Sequence, residues 1–345
     1  MSLLSAGWDR ILEARARRYA EGRIASERLP RPVVSVGNLT MGGTGKTPFV
    51  LLLAGRFLAE GRRPAILSRG YGRRSRDVVV VSSGEGPRVA PDEGGDEPVL
   101  LARRLPGSIV VVAPRRSDAA RAALAFSPDV FLLDDGFQHL AVQRDANLLL
   151  VDVRDPFGGG YPPFGRRREP VSAAGRADAV VWTHREAGPP PESARAAIAQ
   201  ANPTAPEFHV RFFPEGFFEV AGAGAAVPAP AGAIVAVCGI ARPESFRETL
   251  RDLGLTPAAF LEFPDHRSYD AADLERIGRA AKSAGATAIV TTEKDAVKLS
   301  NQLSLPLRAV LFGAEIAEPA FWSFLGDRLF PAGRLPGETA QRRES

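Results

Sequence analysis

Residues 33–53 constrain the fold more than any other stretch. Val33, Val34 and Val36 form an apolar β-branched run, Gly42, Gly43 and Gly45 crowd the stretch that follows, and Phe49 to Leu53 is continuously apolar. A buried strand, a glycine-rich turn and a helix in succession, with Lys46 and Thr47 at the turn–helix junction, make the context of a phosphate-binding P-loop. Glycines let consecutive backbone N–H groups face an anion, and the helix N-terminus adds partial positive charge. Lys46 would reach the β- and γ-phosphates, and the Thr47 hydroxyl would ligate Mg²⁺. The general pattern asks for glycine at position 40, where this chain has Thr40. Partition-type ATPases carry a signature lysine where Met41 stands, which argues against that class.

The chain of 345 residues is long for a single core and predicts two domains. Its 45% hydrophobic content is that of a globular protein. A net charge of +4 with a pI near 9.5 suits anionic substrates or an anionic membrane surface without choosing between them. The lone Cys238 excludes an internal disulfide and a cysteine-based metal cluster, and points to a reducing compartment. Asp9 and Arg10 interrupt any apolar secretory segment, and Val220 to Ala241, broken by Pro228 and Pro230, reads as a loop and a buried strand rather than a membrane span. Residues 1 to about 22 read as an amphipathic helix, with Leu4, Trp8, Ile11, Leu12 and Tyr19 on one face and arginines on the others. It either packs on the domain or lies on an anionic membrane.

Strands alternate with helical patterns along both halves, predicting mostly parallel sheets flanked by helices. Pro64 to Ser68 is a strand ending in a basic glycine loop with Arg69, Tyr71 and Arg73. Asp96 stands at a loop–helix junction, where it could cap the helix or accept a proton from an attacking hydroxyl. Val130 to Leu133 is an apolar strand ending in Asp134 and Asp135, a Walker B arrangement for Mg²⁺. Asp152, at the end of Leu148 to Val151, competes with it; the first is preferred because Gln138 and His139 follow. Residues 207–220 read as a hairpin turning at Pro214-Glu215-Gly216 and joining a P-loop domain (1–206) to a smaller α/β domain (221–330), with a frayed tail at 331–345.

Taken together, several segments resemble one family, the tetraacyldisaccharide 4′-kinases of lipid A synthesis. They are V-G-N-L-T-M-G-G-T-G-K-T-P (36–48), S-R-G-Y-G-R (68–73), G-D-E-P (95–98), L-D-D-G-F-Q-H (133–139), R-E-P (168–170), G-I-A-R-P (239–243), F-P-D-H (263–266) and T-T-E-K-D-A-V-K-L (291–299). Each alone is weak; their order and spacing are specific, and Thr40 fits this family's loop. The resemblance implies two α/β/α domains with mostly parallel sheets, the first P-loop NTPase-like, joined by a two-stranded β linker. It implies ATP-dependent phosphorylation of the 4′-hydroxyl of a tetraacylated glucosamine disaccharide 1-phosphate, by an enzyme peripheral to the cytoplasmic face of the inner membrane. By position, Asp96 would be the general base and His266 its partner from the second domain. Thr40, Met41, Gly42, Gly43, Thr44, Gly45, Lys46, Thr47, Arg116 and Arg168 would hold ATP. Thr47, Asp134, Asp135, Gln138 and Glu169 would form the Mg²⁺ shell.

Two other classes compete. A regulatory P-loop ATPase or GTPase would share Lys46, Thr47 and Asp134 but would not need Asp96 with His266. A nucleic-acid module would explain the pI, but the basic residues are scattered with no aromatic-interleaved patch, so no nucleic-acid partner is expected.

Overall fold

The computed structural model describes residues 3–219, 226–265, 267–299 and 303–331. His266 and residues 332–345 of the expected tail lie outside them. In chain order, α1 (Leu3–Ala20) precedes β1 (Val33–Asn38), α2 (Lys46–Ala59), β2 (Pro64–Ser68), β3 (Val79–Ser83), α3 (Pro91–Gly94) and α4 (Asp96–Arg104). Next come β4 (Ile109–Val112), α5 (Arg116–Leu124), β5 (Val130–Leu133), β6 (Ala146–Asp152), β7 (Ala179–Thr183) and α6 (Glu192–Ala201). The second half holds β8 (Glu207–Glu219), β9 (Ala226–Val227), β10 (Ile234–Cys238), α7 (Pro243–Asp252), β11 (Ala259–Glu262) and α8 (Ala271–Ser283). It ends with β12 (Ala288–Thr292), α9 (Glu293–Leu299), β13 (Leu307–Ile316) and α10 (Pro319–Leu329).

One continuous sheet runs through the molecule, in the order β11-β10-β12-β13-β8-β7-β6-β1-β5-β2-β4-β3, with β9 beside β8. This replaces the two separate sheets expected. The pairings are parallel except β3 with β4, β8 with β13 and β8 with β9. The strand that makes the sheet continuous is β8. Its first residues pair with β7 in parallel and the rest pair antiparallel with β13. The hairpin expected within 207–220 is therefore not formed. Pro214-Glu215-Gly216 has turn composition, yet it lies inside one strand. The register slips between Leu311 and Phe312 so that Glu215 is the extra residue. A bulge tolerates a proline because the missing N–H would otherwise break the ladder.

Side-chain alternation along the strands builds two cores on opposite faces of the N-terminal section. Val34, Val36, Ile66, Val110 and Leu132 face α2, whose Phe49, Val50, Leu53, Ala54 and Phe57 are buried. Val33, Ala65, Leu67, Val111 and Phe131 face α5 through Ala119, Ala120 and Ala123. Each large side chain so buried contributes about 1.5–3 kcal/mol. The C-terminal section repeats the scheme, with Val235, Val237 and Ile289 against α8 and Ala236 and Val290 against α7.

The last helix departs from the expected division. Although α10 falls within 221–330, it joins the core of the N-terminal section. Phe321 meets Phe49 at a centroid separation of 6.1 Å and Phe208 at 5.1 Å, both edge-on. Among the described residues, no helix is long and apolar enough to cross a membrane.

Candidate active site

The site forms where β1, β2 and β5 end, at the carboxyl edge where open α/β sheets place ligands. A cavity of about 1100 Å³ opens there, lined by the loop from Met41 to Pro48, by Ser68, Arg69 and Tyr71 after β2, and by Asp134 to His139 after β5. Arg154 and His184 after β6 and β7 wall one side, and Arg242, Asp265 and Lys294 of the C-terminal section wall another.

The loop is shaped for an anion. Gly45 is the N-cap of α2 in the left-handed region, with φ of 78°, and no side chain caps the helix there. The first N–H groups of α2 are thus left without intrahelical partners, at the positive end of the helix dipole. A Cβ on Gly45 would stand 2.2 Å from the Phe212 ring, so β8 supports the loop from beneath. Asn38, which sequence reasoning did not single out, holds the loop's shape. Its amide donates to Thr44 Oγ1 at 2.7 Å and Thr40 Oγ1 at 3.3 Å, and its carbonyl accepts from Lys46 Nζ at 3.2 Å. Met41 N–H donates to the Arg166 carbonyl at 2.6 Å, tying the loop to the arginine run.

The two Walker-type carboxylates differ in state. Asp134 is buried and accepts from Ser68 Oγ at 2.9 Å. Burial above all, then repulsion from Glu97 and Asp135, raises its pKa to about 6. Burial also acts to raise Asp135, but Lys46, 3.6 Å away, and Arg168, bonded to both oxygens at 2.8 and 2.7 Å, bring it down to about 2. Asp135 adopts φ of 51°, in the left-handed region that non-glycine residues seldom occupy. Arg116 is almost fully buried in the cavity wall. One Nη donates to the Asp134 carbonyl at 2.9 Å, while Nε and the other Nη find no hydrogen-bond partner among the described residues. Desolvation lowers its pKa only to about 10, so it stays a cation. Buried, charged and under-satisfied N–H groups call for an anionic partner.

The expected residues do not all reach the cavity. Gly42 to Thr47, Met41, Arg116, Arg168, Asp134, Asp135 and Gln138 line it; Thr40, Asp96 and Glu169 do not. Glu169 is buried and held by Arg176 at 2.7 Å and by the Gln138 amide at 3.1 Å. Asp152, the competing strand-end carboxylate, is committed to Arg154 Nε and Nη at 3.0 and 2.8 Å. Asp96 is the first residue of α4 behind the N-cap Gly95, and no side-chain cap bond forms there, so the capping reading is not met. Its carboxylate lies 3.3 Å from Lys298 Nζ on α9. Its neighbour Glu97 does face the cavity. Among the described residues no three His, Cys, Asp or Glu side chains cluster as a metal cage. Asn38 and Ser68 sit inside the quoted motifs, so the motifs held the signal; Phe212 and Arg154 carried none.

A family profile described as tetraacyldisaccharide-1-P 4′-kinase (LpxK) matches residues 1–330. A curated tetraacyldisaccharide 4′-kinase of Anaeromyxobacter dehalogenans (strain 2CP-C) is 42% identical over 312 residues, covering 88% of this chain and 82% of that protein. One from Geobacter sulfurreducens is 40% identical over 329 residues, covering 93% and 90%. The crystal structure of an "apo" form of LpxK from Aquifex aeolicus in complex with ATP superimposes with a TM-score of 0.79 at 31% identity, covering 95% of this chain and 98% of that one. By sequence over its length and by fold, this chain belongs to the tetraacyldisaccharide-1-P 4′-kinase family.

Proposed function

We propose that this phosphotransferase of the 4′-kinase family moves the γ-phosphoryl group of ATP to the 4′-hydroxyl of tetraacyldisaccharide 1-phosphate, with Asp96 as the general base and His266 as its partner. The observation that carries the reading is the cavity itself: a glycine loop at an uncapped helix N-terminus faces a buried Arg116 guanidinium with unpartnered N–H groups. When bound, Mg²⁺ would neutralise phosphate charge and orient the group being transferred. Thr47, Asp134 and Asp135 are the residues that would hold it, with Gln138 beside them and Glu169 acting through Gln138.

Lys46, Arg116 and Arg168 supply the fixed positive charge that a loose phosphoryl-transfer transition state needs. The Asp96 carboxylate takes the hydroxyl proton as the sugar oxygen bonds to phosphorus and ADP leaves. Residues 1–206 and 221–318 would act as two lobes closing over the acceptor, which excludes water and limits hydrolysis. The exposed Trp8 and Ile11 on α1, among the exposed Arg10, Arg15, Arg17 and Arg18, support a peripheral seat on the anionic cytoplasmic face of the inner membrane, where the glycolipid substrate resides.

The test is transfer of labelled γ-phosphate to the detergent-solubilised lipid disaccharide. Asp96→Asn is expected to lower kcat by about 10²–10⁴-fold with ATP affinity retained. The place of Glu97 on the cavity wall favours a second candidate base. A larger kcat loss in Glu97→Gln than in Asp96→Asn would transfer the role to it.

A further inference from the structure

We propose that Lys298 is a positioning residue for the Asp96 carboxylate, fixing its orientation and keeping it ionised from the C-terminal section of the sheet. The inference rests on the assignment of Asp96 as base made above. Lys298 stands on α9, one turn after Asp295 on the same face. Its Nζ lies 3.3 Å from Asp96 Oδ2 and 3.4 Å from Asp295 Oδ1. The lysine side chain is 8% exposed, Asp96 14% and Asp295 not at all. An ion pair so withdrawn from water is screened far less than a surface pair.

Asp295 does not need the lysine to fill its hydrogen bonds. Its Oδ2 accepts from the Gly239 N–H at 2.9 Å and the Thr292 hydroxyl at 2.7 Å, and its Oδ1 accepts from the Tyr269 hydroxyl at 3.0 Å. The Tyr269 ring also lies beneath the ammonium, 5.6 Å from its centroid. A Cβ on Gly239 would meet Asp295 Oδ1, the Pro264 carbonyl and the Tyr269 hydroxyl at 3.1 Å each, so the glycine is what lets this carboxylate seat close to the backbone. Asp295 is thus a rigid anchor. It sets the lysine, and the lysine sets Asp96. A carboxylate that must take a proton is served by a neighbour that favours its charged form and restricts its rotamers.

Other charged groups face this end of α4. Glu97 lies on the helix itself, within 4.0 Å of Lys294, which bonds Asp265 at 2.9 Å. Arg104 pairs with Glu293 at the far end of the helix. Asp92 and Glu93 are on α3, and Arg73 is in the loop after β2, which packs against Gly94 and Gly95. Lys46 starts α2, which also packs on α4, and Asp134 feels the charge of Glu97. Of these, Lys298 is the cation paired with Asp96 itself.

The full-length protein is assayed with ATP and the lipid disaccharide across pH as wild type, Lys298→Met, Lys298→Arg, Asp96→Asn and the Asp96→Asn/Lys298→Met double variant. Lys298→Met is expected to lower kcat about tenfold or more without raising KM for ATP. The acid limb of its kcat profile is expected to move to higher pH by about one unit or more, because an unpaired carboxylate protonates more readily. Lys298→Arg returns the limb, and in the Asp96→Asn background Lys298→Met costs nothing further. Lys298→Gln keeps a donor for Asp295 and removes the charge, so it reads the same limb where methionine unsettles the fold. An unmoved limb in the uncharged variant, or an undiminished further loss in the Asp96→Asn background, overturns the positioning role. An Asp96→Asn enzyme as fast as wild type overturns the base assignment instead, and does so without reference to Lys298.

Discussion

Gly45→Ala tests whether β8 shapes the nucleotide loop. The backbone there has φ of 78°, a region that costs a residue bearing a Cβ about 1–2 kcal/mol. The new Cβ would also stand 2.2 and 2.3 Å from two ring carbons of Phe212. That ring cannot yield freely. It is 7% exposed, its backbone N–H donates to Glu186 at 3.1 Å, and it meets the His184 ring at a centroid separation of 4.8 Å. Overpacking of this kind costs about 1–3 kcal/mol, so the substitution should destabilise the protein by about 2–5 kcal/mol altogether. Urea unfolding of Gly45→Ala, Phe212→Leu and the double variant separates the two parts. With leucine at 212 the steric part is relieved and the dihedral part persists, so the cost of alanine at 45 should shrink by about 1–3 kcal/mol. ATP titration should show weakened binding in Gly45→Ala. The same cost in both backgrounds would refute the contact between β8 and the loop.

Two further outcomes are expected. Burial, then the nearby Arg116 and Arg144, lowers the His139 pKa to about 4, whereas the unfolded chain takes its proton near 6.5. The unfolded state alone is protonated between those values, so His139 contributes stability above about pH 6.5 that is lost as pH falls towards 4, about 2 kcal/mol of it by pH 5. Asp134, whose folded pKa is raised to about 6, works in the opposite sense over an overlapping window. The measurement is therefore the difference between wild type and His139→Gln, in which Asp134 cancels; parallel stability curves from pH 8 to 5 would rule the effect out. On α1, replacing the exposed Trp8 and Ile11 together by serine should weaken flotation with anionic vesicles about tenfold. Unchanged flotation would return α1 to a packing role, consistent with its contacts from Asp9 to Tyr161 and from Glu13 to Ser172.

Much of the N-terminal section was legible because its signals are local. Val33 to Asn38, Pro64 to Ser68 and Val130 to Leu133 are short apolar runs ending in polar loops, and each is a buried strand. Asp134 lines the cavity, whereas Asp152 does not and is bonded to Arg154. Misreadings arose where long-range pairing overrides local chemistry. Pro214 to Gly216 has the composition of a turn, but nine residues of β13, Arg308 to Ile316, pair with β8 across that stretch and hold it extended. Glu293 to Asp295 has the composition of a charged strand end following Ala288 to Thr292, yet it opens the helix that delivers Lys298. The seat of α10 could not be read at all. Phe321 and Phe49 lie far apart in the chain, and neither residue's neighbours encode the other.

The position of α10 bears on how the polypeptide can be made. Phe49 and Phe57 are covered by residues near the far terminus, among them Phe321 and Phe330. A ribosome therefore releases the nucleotide-binding half long before the helix that seals it. That half must wait, with its greasy flank open, until residues 319–330 have been translated. Loss of α10 would thus harm the first core helix of the chain as much as the segment removed.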